Sequence, residues 1–464
     1  MLHRLHSSPS TSYPIPAPMK RALAFFAALL FATSASARGL IRDAEIEHTL
    51  RSYANPILST AGIPPEDVRI LIVNDPAINA FVAGGLNIFI HTGLIRAAEK
   101  PGMLIGVIAH ETGHIAGAHL SQLSQKSNRA TLGAIIGALV GVAAMAGGAG
   151  KAGAGVLIGS QNAAMGNLMS GIRMNEQSAD QAALTYLDEL GISASGMLEM
   201  FETLRRMETA HNVPKDTFLR SHPLTSDRIA AMRNHIQESD IPKDQVPGKF
   251  VPMHALMQAK LAGFTEPYRQ VLAAYPESDT SIAAQYARAI ADFKRNRLPQ
   301  ALSAMDNLIA EQPDNPFFFD TKGQILFENG RLIEAAKAYQ QAYKLLPDNA
   351  LILTDLARAL VAQEKPALLP KAIALLERAK EIDDSNSATW RELAIAYGRQ
   401  GNMGPSYLAL AEESALTGDY KGVLQHTARA RGYDTRDPSL ALKLDDLDRD
   451  AKAQLKEQNQ RGLF

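Results

Sequence analysis

Met103-Leu104-Ile105-Gly106-Val107-Ile108-Ala109-His110-Glu111-Thr112-Gly113-His114 decides how this chain is read. An apolar run leads directly into H-E-x-x-H, and Leu104, Val107 and Ile108 recur at helical spacing, so the segment is predicted to be a buried helix. Residues four apart on a helix lie one above the other. His110 and His114 can therefore reach one metal ion, while Glu111 projects toward a coordination position left open for water and can take a proton there. The pattern implies a hydrolytic enzyme with one bound zinc.

A catalytic zinc takes three protein ligands, so a third must be found. His119 is one candidate, but the pattern H-E-x-x-H-x-x-G-x-x-H would need its third histidine at 120, which is Leu120. On a continuous helix His119 would lie about 180° around from His110 and could not share its ion. The other candidate is Glu176 in Asn175-Glu176-Gln177-Ser178-Ala179-Asp180. Glu176 and Asp180 are four apart, so Glu176 can ligate while Asp180 orients a ligand histidine. A solvated, acidic helix start is the alternative reading of the same residues.

Asn87-Ile88-Phe89-Ile90-His91-Thr92 is rich in β-formers and closes on a Thr-Gly turn, so it is predicted to be a strand. An edge strand beside a metal-binding helix can pair with extended substrate through backbone hydrogen bonds. That makes Asn87, Ile88, Phe89 and Ile90 candidate substrate contacts; an ordinary core strand is the other reading. Ser221-His222-Pro223 reads as a turn in a loop. Arg228, six residues on, is a partner of the ligand set, a contact for a substrate carboxylate or a plain helix-surface arginine.

Lys20-Arg21, the apolar stretch 22–32 and Ala35-Ser36-Ala37 have the form of a secretory signal with a small-x-small cleavage site. Residues 1–37 are accordingly expected to be removed on export, with 1–18, ahead of Met19, an upstream extension or a disordered leader. There is no cysteine, so thiol catalysis and disulfides are excluded and the metal must be held by N and O ligands. A formal charge of −1 argues against a nucleic-acid surface. Residues 130–150 carry no charge, but the glycines from Gly147 to Gly155 make a returning membrane span a poor fit. The stretch 130–155 is expected to be a mobile lid, with membrane insertion as the alternative.

The second half has a period: Pro313-Asp314-Asn315 recurs 34 residues later as Pro347-Asp348-Asn349. Gly323, Ala335, Tyr339, Ala342 and Pro347 fall at tetratricopeptide positions 8, 20, 24, 27 and 32, and Trp390, Leu393, Ala394 and Tyr397 repeat the first-helix pattern. Four repeats are expected, one with an insertion of about three residues around 365–370, flanked by capping helical pairs at 254–276 and 421–450. Such an array binds peptides or proteins on a concave face and has no chemistry of its own. Phe317, Phe318, Phe319, Tyr339, Tyr343 and Arg358 either line that groove or pack between helices.

On these residues the chain resembles the gluzincin metallopeptidases, in which H-E-x-x-H is followed by E-x-x-x-D, and among them the periplasmic members with tetratricopeptide repeats. Four segments match in order: 79–85 running into 88–94, His110 to His114, Glu176 to Asp180, and Ser221-His222-Pro223 with Arg228. The resemblance implies that His110, His114 and Glu176 hold zinc, that Glu111 is the catalytic base and that His222 fills the fourth position and keeps the enzyme latent. It also implies a periplasmic protein acting on unfolded or stalled outer-membrane proteins, with the β-barrel assembly machinery as a partner and peripheral membrane association. The expected fold is mainly α: a zincin-type domain with a small β-sheet at 38–240, a linker at 241–252, an α-solenoid at 253–450 and a tail at 451–464. The competing reading is a periplasmic chaperone or scaffold with a latent metal site.

Overall fold

A computed structural model describes residues 39–118, 158–209, 222–433 and 438–461. These form two compact units, residues 39–363 and 364–464. The signal-like start, His119 and the lid stretch 130–155 lie outside the described residues. Among the described residues no helix is long and apolar enough to cross a membrane.

The first unit opens with strand β1 (Leu40–Ile41) and helix α1 (Ala44–Thr60). Asp43 caps α1, its carboxylate accepting from the N–H groups of Glu45 and Ile46 at 3.0 and 2.9 Å, which satisfies two of the helix's orphan donors. Leu50, Tyr53, Ala54, Ile57 and Leu58 follow at helical spacing and are fully buried. Strands β2 (Arg69–Val73), β3 (Ala80–Ala83) and β4 (Asn87–His91) complete a four-stranded sheet in the order β1-β2-β4-β3. β4 runs parallel to β2 and antiparallel to β3. Ile70, Ile72, Ile88 and Ile90 alternate with less buried residues and turn one face of the sheet into the core.

After the short helix α2 (Thr92–Ala97), α3 (Pro101–Ala116) carries the H-E-x-x-H segment. Its residues from Pro101 to His114 are all buried, as a helix enclosed on every side must be. It packs on α1, α4 (Ile158–Glu189) and α5 (Ser195–Thr209). The approach to α4 depends on Gly113, where an added Cβ would stand 2.7 Å from the Ala179 carbonyl oxygen and 2.9 Å from its Cα. Only a residue without a side chain lets the two backbones come that close. Ala179 lies between Glu176 and Asp180, so this contact sets both carboxylates against the histidines. Helix α6 (Ser226–Glu238) is capped by Thr225 and carries Arg228 on its first turn.

Helix α7 (Phe250–Thr265) packs on α1, α2 and α3, placing Phe250, Met257 and Leu261 in the same core. The connecting stretch is tied in too, since the Ser193 N–H donates to the Gln245 carbonyl at 2.8 Å. The rest of the unit is helical: α8 (Tyr268–Ala274), α9 (Ile282–Lys294), α10 (Leu298–Glu311), α11 (Pro316–Glu328), α12 (Leu332–Leu345) and α13 (Ala350–Val361). Gly323 and Tyr339, picked out by the repeat spacing, meet directly: a Cβ on Gly323 would stand 2.7 Å from the Tyr339 ring.

The second unit holds α14 (Leu369–Ile382), α15 (Ser387–Gln400), α16 (Met403–Leu416), α17 (Tyr420–Arg431) and α18 (Pro438–Arg461). The first helices of successive pairs begin at Ile282, Pro316, Ala350 and Ser387, that is at steps of 34, 34 and 37. The three extra residues of the last step correspond to the 3-10 turn Pro366–Leu368.

Candidate active site

Helix α3 presents His110 and His114 on one face, α4 brings Glu176 to them, and His222, just ahead of α6, completes the group. These four residues offer one nitrogen or oxygen atom each, all within 4.8 Å of one another. His114 Nε2 lies 3.1 Å from His110 Nε2, and His110 Nε2 lies 3.2 Å from His222 Nδ1. The Glu176 carboxylate is 3.4 Å from His110, 3.3 Å from His114 and 3.2 Å from His222. A tetrahedral ion with ligand bonds of about 2.05 Å sets its ligands about 3.3 Å apart. With Glu176 represented by Oε1, four of these separations, 3.1 to 3.3 Å, match those that a small tetrahedral cation would impose, and the all-N/O donor set suits one.

Electrostatics points the same way. Burial would raise the Glu176 carboxyl, but the charge of His222 and hydrogen bonds from His110, His114 and His222 hold it far below the usual carboxylate range. Burial pushes His114 down to about 4, helped by the neighbouring His110 and His222. His110 is also pressed down by burial, yet hydrogen bonds to Asp180 and Glu176 outweigh this and lift it to about 9.

Around the ligand atoms stands a second ring of contacts. Asp180 Oδ1 lies 2.9 Å from His110 Nδ1, the ring nitrogen turned away from the cluster, a contact that orients the ring with Nε2 toward the cluster. Arg228 donates Nε and Nη2 to the two Asp180 oxygens at 2.5 and 2.7 Å. Its Nη1 donates to the Pro223 carbonyl at 2.8 Å and lies 3.0 Å from Glu176 Oε2. This corrects two readings of Arg228: it is 3% exposed, not a surface residue, and its donors are committed to Asp180, Glu176 and Pro223 rather than to a substrate carboxylate. Those hydrogen bonds hold the carboxylate of Asp180 below its usual range against the opposing effect of burial.

Glu111 is fully buried, and among the described residues neither of its oxygens accepts a hydrogen bond. Its Oε1 lies 3.3 Å from His222 Nε2. His222 therefore faces the ligand cluster with one ring nitrogen and Glu111 with the other, filling the space between them.

The strand assignment needs a second correction. β4 lies between β2 and β3, so Asn87, Ile88, Phe89 and Ile90 are on an interior strand with no free edge. The Asn87 amide donates to the Ala83 and Gly84 carbonyls and closes the β3–β4 turn. The outer strands are β1 and β3, and β3 also touches α3. Because the His91 N–H donates to the Asn79 carbonyl at 3.0 Å, alternate pairing turns the backbone groups of Phe81 and Ala83 toward β4 and those of Ala80 and Val82 outward. Ala80 and Val82 lie in the matching segment 79–85, but nothing in the sequence singled out their backbone groups. Phe201 on α5 was also missed: its ring lies 5.2 Å from the Arg228 guanidinium and 5.9 Å from the His110 ring, filling the floor beneath both.

Residues 41–236 match peptidase family M48, and residues 286–350 and 320–387 match the tetratricopeptide repeat. The chain is 26% identical over 386 residues to the beta-barrel assembly-enhancing protease of Escherichia coli (strain K12), covering 82% of this chain and 77% of that one. It is 25% identical over 403 residues to the protein of the same name from Yersinia pestis, covering 82% and 78%.

Proposed function

We propose that this metalloprotease, a peptidase family M48 domain carried with tetratricopeptide repeats, is a periplasmic zinc endopeptidase that degrades misfolded or stalled outer-membrane proteins. The observation that carries the catalytic part is the buried convergence of His110, His114, Glu176 and His222, with one nitrogen or oxygen each within 4.8 Å of the others, beside Glu111. The link to β-barrel assembly comes from the name of the relatives, the compartment from the signal-like start of the sequence, and the repeats suit capture of protein partners, including the outer-membrane assembly machinery.

In this reading His110, His114 and Glu176 hold zinc, which when bound would polarise the scissile carbonyl and make water more acidic. Glu111, buried and with unclaimed oxygens, accepts the proton of the attacking water and returns one to the leaving amine. Asp180 keeps the His110 ring oriented, and Arg228 keeps Asp180 and Glu176 charged. The outward backbone groups of Ala80 and Val82 pair with an extended substrate strand. His222 stands where water must enter, so it acts as a latch that has to swing away before turnover.

The test compares the purified protein with Glu111→Gln and His222→Ala, measuring bound zinc and cleavage of unfolded casein. Zinc at one per chain is expected throughout. Cleavage should fall by about 10²–10⁴-fold without the Glu111 carboxylate and rise in His222→Ala. A chain that holds no zinc, or a Glu111→Gln variant as active as the parent, would overturn the proposal. Zinc with no cleavage by any form would favour the chaperone reading.

A further inference from the structure

Far from the ligand cluster, the first unit buries a second set of ionisable groups. The amino-terminal end of α1 is seated on the repeats: Ala44 packs with Phe317, Ala342 and Ile352, and the His48 ring lies 5.3 Å from that of Phe317. Behind this apolar seat, Lys260 on α7 is fully buried and holds its Nζ 2.9 Å from Asp43, 3.6 Å from Glu45 and 3.8 Å from Asp320 on α11. Tyr286 on α9 donates its hydroxyl to Glu45 at 2.8 Å and lies 2.6 Å from the Thr321 hydroxyl. On α13, Asp355 pairs with Arg358 at 2.7 Å and acts electrostatically on Asp320.

Four carboxyl groups thus face two cations, and among the described residues Glu45 Oε1 and Asp320 Oδ1 are buried without a hydrogen-bond partner. Of these, Glu45, Asp320 and Lys260 are buried, and two buried acids facing one buried base cannot both stay charged at low cost. Protons make up the difference. Burial pushes Glu45 up to about 7 against the pull of Lys260, and burial likewise pushes Asp320 up to about 8. Burial raises Asp355 as well, with Arg358 opposing it. The other groups are the Asp43 carboxylate and the Tyr339 hydroxyl on α12, which burial lifts well above its ordinary range.

We propose that the seat of α1 on the repeats is a proton-held clasp, through which the repeats grip the amino-terminal end of the peptidase part in neutral or acid surroundings and loosen it on alkalinisation. With Glu45 and Asp320 protonated, Asp43 and Asp355 face Lys260 and Arg358 in equal number. When both acids lose their protons, the site carries two uncompensated negative charges, one on α1 and one on the repeats. They repel across the seat that joins them.

Amide hydrogen exchange of residues 40–48, followed by mass spectrometry in the full chain and corrected for the intrinsic pH effect, reads the clasp directly. Protection is expected to fall by about tenfold between pH 6 and pH 9 in the parent and to stay level in Glu45→Gln/Asp320→Asn, where neither group can ionise. Asp320→Asn alone, which keeps the Tyr286–Glu45 hydrogen bond, should fall by less than the parent. Protection that does not change with pH in the parent, or that falls equally in the double variant, would overturn the proposal. If the double variant does not fold, the single variant decides: a fall as large as the parent's counts against it.

Discussion

Asp180 illustrates how much of this site is set one step away from the ligand atoms. Its carboxylate joins His110 Nδ1 on one side to the Arg228 guanidinium on the other, so it fixes a ring and is itself fixed. Asp180→Asn keeps the shape but loses the charge that anchors both. Zinc affinity, measured by competition with a chromogenic chelator, should drop by about 10–100-fold, with little change in the folded structure. Arg228→Met differs, because it leaves Asp180 and Glu176 buried without their cation. Stability should fall by about 3–5 kcal/mol in denaturant unfolding of the metal-free protein, and Arg228→Lys should recover part of it by restoring charge without the two-pronged geometry. An Arg228→Met protein as stable as the parent would show that the pair does not matter to the fold.

Helices α3 and α4 meet through Gly113, and strand β3 is the sheet edge beside them. Gly113→Ala would press a Cβ against the Ala179 backbone, and neither backbone can give way cheaply. The expected result is a loss of about 1–3 kcal/mol of stability together with weaker zinc binding, since Glu176 and Asp180 ride on the displaced helix. Val82→Pro probes the edge: proline removes an N–H that points outward and leaves the pairing with β4 intact. Casein kcat/KM should fall by about five- to tenfold, the worth of one backbone hydrogen bond, with zinc content unchanged; unaltered kcat/KM would mean that substrate does not pair there. These elements also show what was legible beforehand. H-E-x-x-H, the four-residue step from Glu176 to Asp180 and the repeat spacing that picks out Gly323 and Tyr339 are local or periodic, and the sequence pattern alone brings them out. The position of β4 inside the sheet was not legible, because strand order follows from pairing between segments distant in sequence. Nor was the inward turn of Arg228, since its acidic partners lie 48 and 52 positions earlier in the chain.

The unit spanning residues 39–363 contains both the metal-ligand cluster and the first repeats, and the buried set around Lys260 ties its two ends together: Glu45 and Tyr286 touch across 241 positions of sequence. No periodicity announces such a contact. In the folded chain Glu45 and Asp320 hold protons more tightly than in the unfolded one, at about 7 against 4.5 and about 8 against 3.8. The sign follows from linkage: stability due to these groups is fully present below about pH 4 and is lost as pH rises through 7 and 8. Asp320→Asn, which resembles the protonated form, should therefore raise the melting temperature at pH 8.5 and leave it nearly unchanged at pH 4. Lys260→Met acts in the opposite direction, because it strands Asp43, Glu45 and Asp320 without their shared cation. It should cost about 3–5 kcal/mol at pH 8.5 and less at pH 5, where Glu45 and Asp320 are protonated in the folded chain. Urea unfolding at the two pH values separates this from a simple packing defect, since a methionine that merely fits badly would lower stability equally at both.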